Sequence, residues 1–577
     1  MTQLNRAFVA TAACAALVSL YPASVAHSTV ATASKKNPAA QHEPTIHQMI
    51  VKLRNPKAAE LTQPLGVDRV TALSNRAGVS LHAHRAMALG ASVLRLDVPL
   101  QLTDARAVAA RLAADPEVEY AEPDMPVRIQ ATPPDASFAL RQWHFFAPDS
   151  VFSDSNTQLT GPAKTFTPVG AANLPGAWNI TTGSTSIVVA LVDNGVTLTH
   201  PELAAALLPG YDFVSSNADG LPTNFVANDG DGRDPDPTDP GDWVTAAEKT
   251  DPTTGTACND GNPTQQTDSS WHGTHMAGTI IGQWGNGVGS SPPPGTSTAG
   301  IAPNARLLPV RALGKCGGTS SDVADAIVWA AGGSVPNVAA NANPARIINL
   351  SLGAPSTTCS TTYSNAINAV SSQALVIAAA GNEATLGVDE PARCPGVLAV
   401  TAHTINGDNA DYANVGPEVG ISSPGGGAPT QLTANAADVN DNGYYTWSSI
   451  LFGATTPTST ETNGTRSGPA IGGFTGTSGA TANVSGVAAL VLSVNPSLTP
   501  SQLRGVLVGH VRPHPAGGYC ASGQPGNGGC GAGLLDASAA VASVAPSSSG
   551  GGGGALPLGQ LLLLGLFALL ARGRARA

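Results

Sequence analysis

Three short apolar runs, Ser186–Val192, Ile347–Leu350 and Ala374–Ala380, constrain this chain most. Each is bounded by turn residues, and each reads as a strand buried on both faces of a parallel sheet. Between them, Ser321–Ala331 and Tyr363–Ser372 have helical character. Strands alternating with helices predict an α/β domain with a doubly wound, mostly parallel sheet flanked by helices. Sheets of that class present ligands outside the carboxyl ends of their strands, so the chemistry is expected there. With 577 residues the chain has room for roughly two to four folded units. A formal charge of −11 without a basic stripe argues against a nucleic-acid partner.

Both ends read as addresses rather than fold. Residues 1–26 carry Arg6, then an apolar stretch Ala7–Leu20, then small residues Ser24-Val25-Ala26, the layout of a secretory signal peptide. Residues 27–45 are a polar spacer. Residues 546–554 are a Ser/Gly linker, and 555–577 hold an apolar run, Leu556–Ala571, followed by Arg572, Arg574 and Arg576. As a helix that run spans about 24 Å, short of a bilayer's roughly 30 Å. The pattern resembles the GlyGly-CTERM sorting signal of Gram-negative bacteria, which implies a sorting protease as partner and an extracellular or cell-surface destination. A permanent inner-membrane anchor is the alternative.

Residues 46–130 form a separate small unit. Strands are expected at Met49–Leu53, Ala91–Val98 and Val118–Val127, and helices at Val67–Ala77 and Ala105–Ala114. The order suits a ferredoxin-like split βαβ, α+β unit. It carries no chemical constellation, and it ends in a loop around Pro133-Pro134.

Three motifs carry chemistry. The first apolar strand ends in Asp193-Asn194-Gly195. His272-Gly273-Thr274-His275-Met276-Ala277-Gly278 opens a helix. Gly476-Thr477-Ser478-Gly479-Ala480 puts Ser478 at the N-terminus of an apolar helix, Ala482–Ser493. Alone, each has a bland reading: a turn acid, a buried histidine pair, an N-cap serine. The histidines lack the Glu of H-E-x-x-H, so a zinc peptidase is a poor fit. Together, Asp193, His272 and Ser478 follow the chain order Asp…His…Ser found in subtilisin. From about Gln142 to Val544 the chain resembles the subtilase family of serine endopeptidases.

That resemblance implies a peptidase domain over 138–545 acting on protein or peptide substrates. Ser478 would be the nucleophile, His272 the general base and Asp193 its orienting partner; His275 would be structural. Asn382, ending Ala374–Gly381, would form the oxyanion hole with the Ser478 N–H. Ser351, Leu352 and Gly353 would pair with extended substrate, and Ala379, Ala380 and Gly381 would wall its primary pocket. Asp389 and Glu390 fall near that pocket's floor, where an acid favours Lys or Arg before the cut bond; solvated loop acids are the other reading. The 46–130 unit would be a prodomain that inhibits the enzyme until it is cleaved near Gln130–Ser137.

The serine motif departs from the family's usual G-T-S-M-A-x-P-H-V-A-G at Gly479, Ala482 and Asn483. Asn194 stands where Ser or Thr is usual, and its amide can donate to the Asp193 carboxylate. A catalytically dead scaffold serving as a surface binding protein is the alternative function.

Asp229, Asp231, Asp234, Asp236 and Asp239 crowd one loop. Hard oxygens at this spacing suit a structural Ca²⁺, although the EF-hand frame is absent. Outside the signal lie Cys258, Cys316, Cys359, Cys394, Cys520 and Cys530. Six cysteines in an exported chain imply three disulfides. Spacing favours Cys359–Cys394 and Cys520–Cys530, which leaves Cys258–Cys316.

Overall fold

The computed structural model describes residues 45–61, 63–87, 90–124, 138, 141–154, 164–215, 221, 224–255, 258, 262–285, 297–428, 445–457 and 468–546. The expected signal, the cleavage segment and the C-terminal sorting segment lie outside these residues. The chain divides into two compact units, Met1–Val127 and Arg128–Ala577.

The first unit has the order β1 (Thr45–Leu53), α1 (Val67–Ala77), β2 (Leu81–Ala86), β3 (Ala91–Gln101), α2 (Leu102–Ala113) and β4 (Val118–Pro123). Its strands pair antiparallel in the order β2-β3-β1-β4, which is the split βαβ arrangement expected. β1 alternates: Met49, Val51 and Leu53 are buried and join Val70, Leu73, Val108 and Leu112 in one core. α1 stops at Gly78, whose φ of 68° gives the left-handed turn that glycine tolerates. β2 was not expected. It is an edge strand with only Leu81 fully buried, so its sequence, LHAHRA, shows no apolar alternation.

The second unit is built on a nine-stranded sheet. Two short strands, β5 (Phe152–Asp154) and β6 (Lys164–Phe166), pair beside it. The sheet strands are β7 (Val188–Asp193), β8 (Tyr211–Asp212), β9 (Arg306–Arg311), β10 (Ile347–Leu350), β11 (Leu375–Ala379), β12 (Leu398–His403) and β13 (Val419–Pro424). After a separate hairpin, β14 (Thr446–Phe452) and β15 (Gly468–Phe474), the sheet closes with β16 (Val511–Arg512) and β17 (Leu534–Leu535). The order is β16-β17-β13-β12-β11-β10-β7-β9-β8. Every pair is parallel except β16 with β17.

Both faces are covered, as the unbroken apolar runs require. Along β7, Val189 and Leu191 join one core with the helices Thr477–Val494 and Ala537–Val544. Ala190 and Val192 join another with the helices Ser320–Ala330 and Thr361–Val370. Thr477–Val494 is the one helix among the described residues long and apolar enough to cross a membrane, but it is mostly buried inside the domain. It shows no apolar stripe because it is surrounded. Two of its buried polar side chains reach neighbouring elements: Asn483 Nδ2 donates to the Pro424 carbonyl and Ser485 Oγ to Asn349 Oδ1. Disulfides join Cys359–Cys394 and Cys520–Cys530, as spacing favours, and Cys258–Cys316, the pair left by elimination.

Candidate active site

β7 runs one residue further than its apolar stretch and ends on Asp193, which is 1% exposed. Asp193 Oδ1 lies 2.7 Å from His272 Nδ1 and accepts the Asn194 backbone N–H at 2.9 Å. His272 is the first residue of the helix His272–Ile281. The helix start can approach the end of β7 because residue 273 is glycine: a Cβ there would come within 2.1 Å of the Gly195 carbonyl. Burial works against a charged His272, but the Asp193 carboxylate and its hydrogen bond outweigh it, so the imidazole pKa is raised. His275, one turn on, is fully buried. It stacks on Phe474 with ring centroids 4.1 Å apart, and its Nε2 bonds the Gly472 carbonyl. Burial lowers its pKa to about 3, so it stays neutral and structural.

Ser478 is the second residue of Thr477–Val494 and is half-buried. Its hydroxyl donates to the Ser351 carbonyl at 3.1 Å, and Ser351 Oγ donates back to the Ser478 carbonyl at 2.9 Å. The serine helix and the Ser351–Gly353 segment are thereby tied together. Asn382 follows β11. Its Oδ1 accepts the Thr477 N–H at 2.9 Å and the Thr477 hydroxyl at 3.0 Å. With the oxygen so engaged, the amide turns its NH₂ outward.

A cleft of about 870 Å³ is lined by His272, Asn194, Asp242, Ser351, Leu352 and Gly353, among others. Ala379 and Ala380 have their side chains buried in the sheet. Gly381 and Gly353 both face Asp389: a Cβ on Gly381 would meet Asp389 Oδ2 at 2.6 Å, and one on Gly353 would meet Asp389 Cβ at 3.1 Å. The solvated-loop reading of Asp389 is overturned, since the residue is 6% exposed. Burial first, and then the nearby Glu383 charge, push its pKa up to about 6, against Arg393. Glu390 instead accepts the Ser360 N–H at the start of Thr361–Val370.

Sequence reasoning missed several residues here. Asn414 is fully buried, accepts the Glu383 and Thr385 N–H groups, and donates to Asp389 Oδ1. Ser270 and Asp242 brace the His272 helix. None of these stands in a recognisable motif. Asn194 corrects an expectation. Its side chain does not donate to Asp193; it accepts the Gly273 N–H and donates to Ser270 Oγ. The glycine at 479 has a local reason, because a Cβ there would lie 3.1 Å from Thr446 Oγ1 of the β14–β15 hairpin.

The five loop acids are not brought together as a calcium site. Among the described residues, no group of three or more acids, histidines or cysteines could hold a metal. Asp229 pairs with the buried Arg311, which also holds Asp212. Asp234 accepts the Asp236 N–H, Asp236 the Thr238 N–H and Asp239 the Gly241 N–H, each a local turn. Asp231 donates its N–H to Asp229. Local turns and one arginine thus use most of the carboxylates singly.

A model of the subtilase family matches residues 184–528. The chain is 38% identical over 492 residues to an extracellular protease of Xanthomonas campestris pv. campestris, covering 85% of this chain and 70% of that one. It is 32% identical over 477 residues to an extracellular basic protease of Dichelobacter nodosus, covering 81% of this chain and 65% of that one. A solved structure of a protease from Pseudoalteromonas arctica PAMC 21717 aligns with a TM-score of 0.55 and 37% identity, over 72% of this chain and 100% of that one. The fold thus falls in the class of subtilisin-like serine proteases. The chain belongs to the subtilase family.

Proposed function

We propose that this chain is an exported serine endopeptidase, made as a zymogen and acting through Asp193, His272 and Ser478. The observation that carries this reading is the 2.7 Å bond between Asp193 and His272, which line a cleft together with Ser351. That bond places a proton on Nδ1 and leaves Nε2 as the base. Ser478 Oγ attacks the carbonyl carbon of the substrate peptide while His272 takes its proton. The oxyanion accepts from Asn382 Nδ2 and the Ser478 N–H. Collapse breaks the C–N bond, and His272 returns the proton to the leaving amine. Water then cleaves the acyl-enzyme by the same route.

The free site holds the Ser478 hydroxyl on the Ser351 carbonyl. An extended substrate that bonds that carbonyl with its own N–H would take the acceptor and turn the hydroxyl toward His272. The side chain before the cut bond would enter between Gly353 and Gly381, against Asp389, so Lys and Arg are the favoured residues there. Arg393, the nearest cation in sequence, lies 3.9 Å from Glu418, and its charge also bears on Asp389.

The 46–130 unit is read as the inhibitory prodomain, supported by its separate core and split βαβ order. Export by residues 1–26 and sorting through 555–577 complete the proposal, supported by the extracellular proteases among its relatives. Replacing Ser478 with Ala tests the whole reading. Casein hydrolysis and prodomain removal should both be abolished; hydrolysis retained by the variant would overturn it.

A further inference from the structure

The helix that begins at His272 has no ordinary cap. Its N-cap position is Trp271, in the left-handed region with φ 51°, and no side chain of that residue meets the free amides. Helix starts leave N–H groups that need acceptors. Here they are met from outside. Ser270 Oγ accepts the His272 N–H at 3.3 Å, and Asn194 Oδ1 accepts the Gly273 N–H at 2.8 Å. Asn194 Nδ2 in turn donates to Ser270 Oγ at 3.3 Å.

A hydroxyl has one proton and two lone pairs. Two donors approach Ser270 Oγ, so its proton must point elsewhere. It points at Asp242, whose Oδ2 accepts it at 2.8 Å while Oδ1 accepts the Ser270 N–H at 2.7 Å. The carboxylate thus sets the hydroxyl rotor and, through it, the acceptors that hold His272 and Asn194.

We propose that Asp242 is a positioning residue for the catalytic histidine, acting through Ser270 on the His272 helix start. The proposal rests on the endopeptidase reading of the site. An amide at position 242 would present N–H groups to a hydroxyl already facing two donors, and the arrangement would break without loss of volume. Asp242 also adds negative charge near His272. The charged groups facing that ring are Asp193, Asp242 and Asp239; His275, on the same helix, is neutral.

Two variants of the full chain, Asp242→Asn and Ser270→Ala, test it. Both should lower kcat by about tenfold to a hundredfold, the scale of a lost hydrogen bond to a charged group, with KM changed by less than about twofold. Asp242→Asn alone should move the acid limb of the kcat/KM profile to lower pH, because a carboxylate that favours the imidazolium is gone. An NMR titration of His272 in a Ser478→Ala background gives a readout without turnover. There Asp242→Asn should lower the His272 pKa, and Ser270→Ala should leave it in place. A His272 titration unmoved by Asp242→Asn, with kcat unchanged, would overturn the proposal. Loss of thermal stability with an unmoved pH profile would also overturn it, by reducing Asp242 to a structural group. If the parent enzyme shows no hydrolysis, the endopeptidase reading fails by itself, and the NMR comparison still decides the role of Asp242.

Discussion

Asp193 Oδ1 lies 2.7 Å from His272 Nδ1, and its other oxygen is buried with no hydrogen-bond partner among the described residues. One oxygen of the carboxylate thus serves both the histidine and the Asn194 N–H. Because the His272 pKa is raised above 6.5, the base is lost as pH falls through a value higher than that. The acid limb of kcat/KM should have its midpoint above pH 6.5. Asp193→Asn should lower kcat by about 10³–10⁴-fold by favouring the wrong tautomer. Steady-state kinetics across pH check both.

Asn382 is aimed by Thr477, whose N–H and hydroxyl both bind its side-chain oxygen. In the proposed mechanism the NH₂ is left for an oxyanion. Asn382→Ala should lower kcat by about 10²–10³-fold, as for one lost oxyanion donor, with KM little changed. A proportionate rise in KM instead would assign Asn382 to ground-state binding.

Asp389 is buried against two glycines, Gly353 and Gly381. Peptides with Arg or Lys before the cut bond should be preferred over those with Phe. Asp389→Asn should reduce kcat/KM for the Arg peptide by roughly tenfold to a hundredfold and leave the Phe peptide alone. With a pKa raised to about 6, the carboxylate is charged above that pH, so the Arg-to-Phe ratio should fall as pH drops through 6. Taking the ratio cancels the titration of His272. An Arg peptide no better than Phe at pH 8 would remove Asp389 from specificity.

The Cys359–Cys394 bridge closes a 35-residue separation spanning β11 and ends near the Ser360–Glu390 contact. Replacing both cysteines with serine should cost about 3–4 kcal/mol of stability by loop entropy. Thermal unfolding of the variant would show it. An unchanged midpoint would mean that the loop is already restrained without the bridge.

What could be read in the chain depended on whether a residue's neighbours in sequence are also its neighbours in space. The apolar runs around Leu191, Ile348 and Ile377 have one physical meaning, so the central sheet was legible. Asp193, His272 and Ser478 could be linked because each closes a recognisable strand or opens a recognisable helix. β2 was not legible, because an edge strand with one buried side chain has no period to detect. Asp242, Ser270 and Asn414 gave no signal, since each is held by a hydrogen bond to a residue distant in sequence: Asp242 to Ser270, Ser270 to Asn194 and Asn414 to Asp389. The acid loop misled. Clustered Asp residues suggested calcium, but turns and Arg311 engage most of them one at a time.

The central claim is that Ser478 is a nucleophile activated by His272. Labelling the purified protein with a serine-directed fluorophosphonate, then mapping the adduct by peptide mass spectrometry, tests it most directly. The account predicts stoichiometric modification at Ser478, loss of peptidase activity in step with labelling, and no adduct in a His272→Ala variant. An adduct at another serine with activity lost, or full activity with Ser478 labelled, would contradict it.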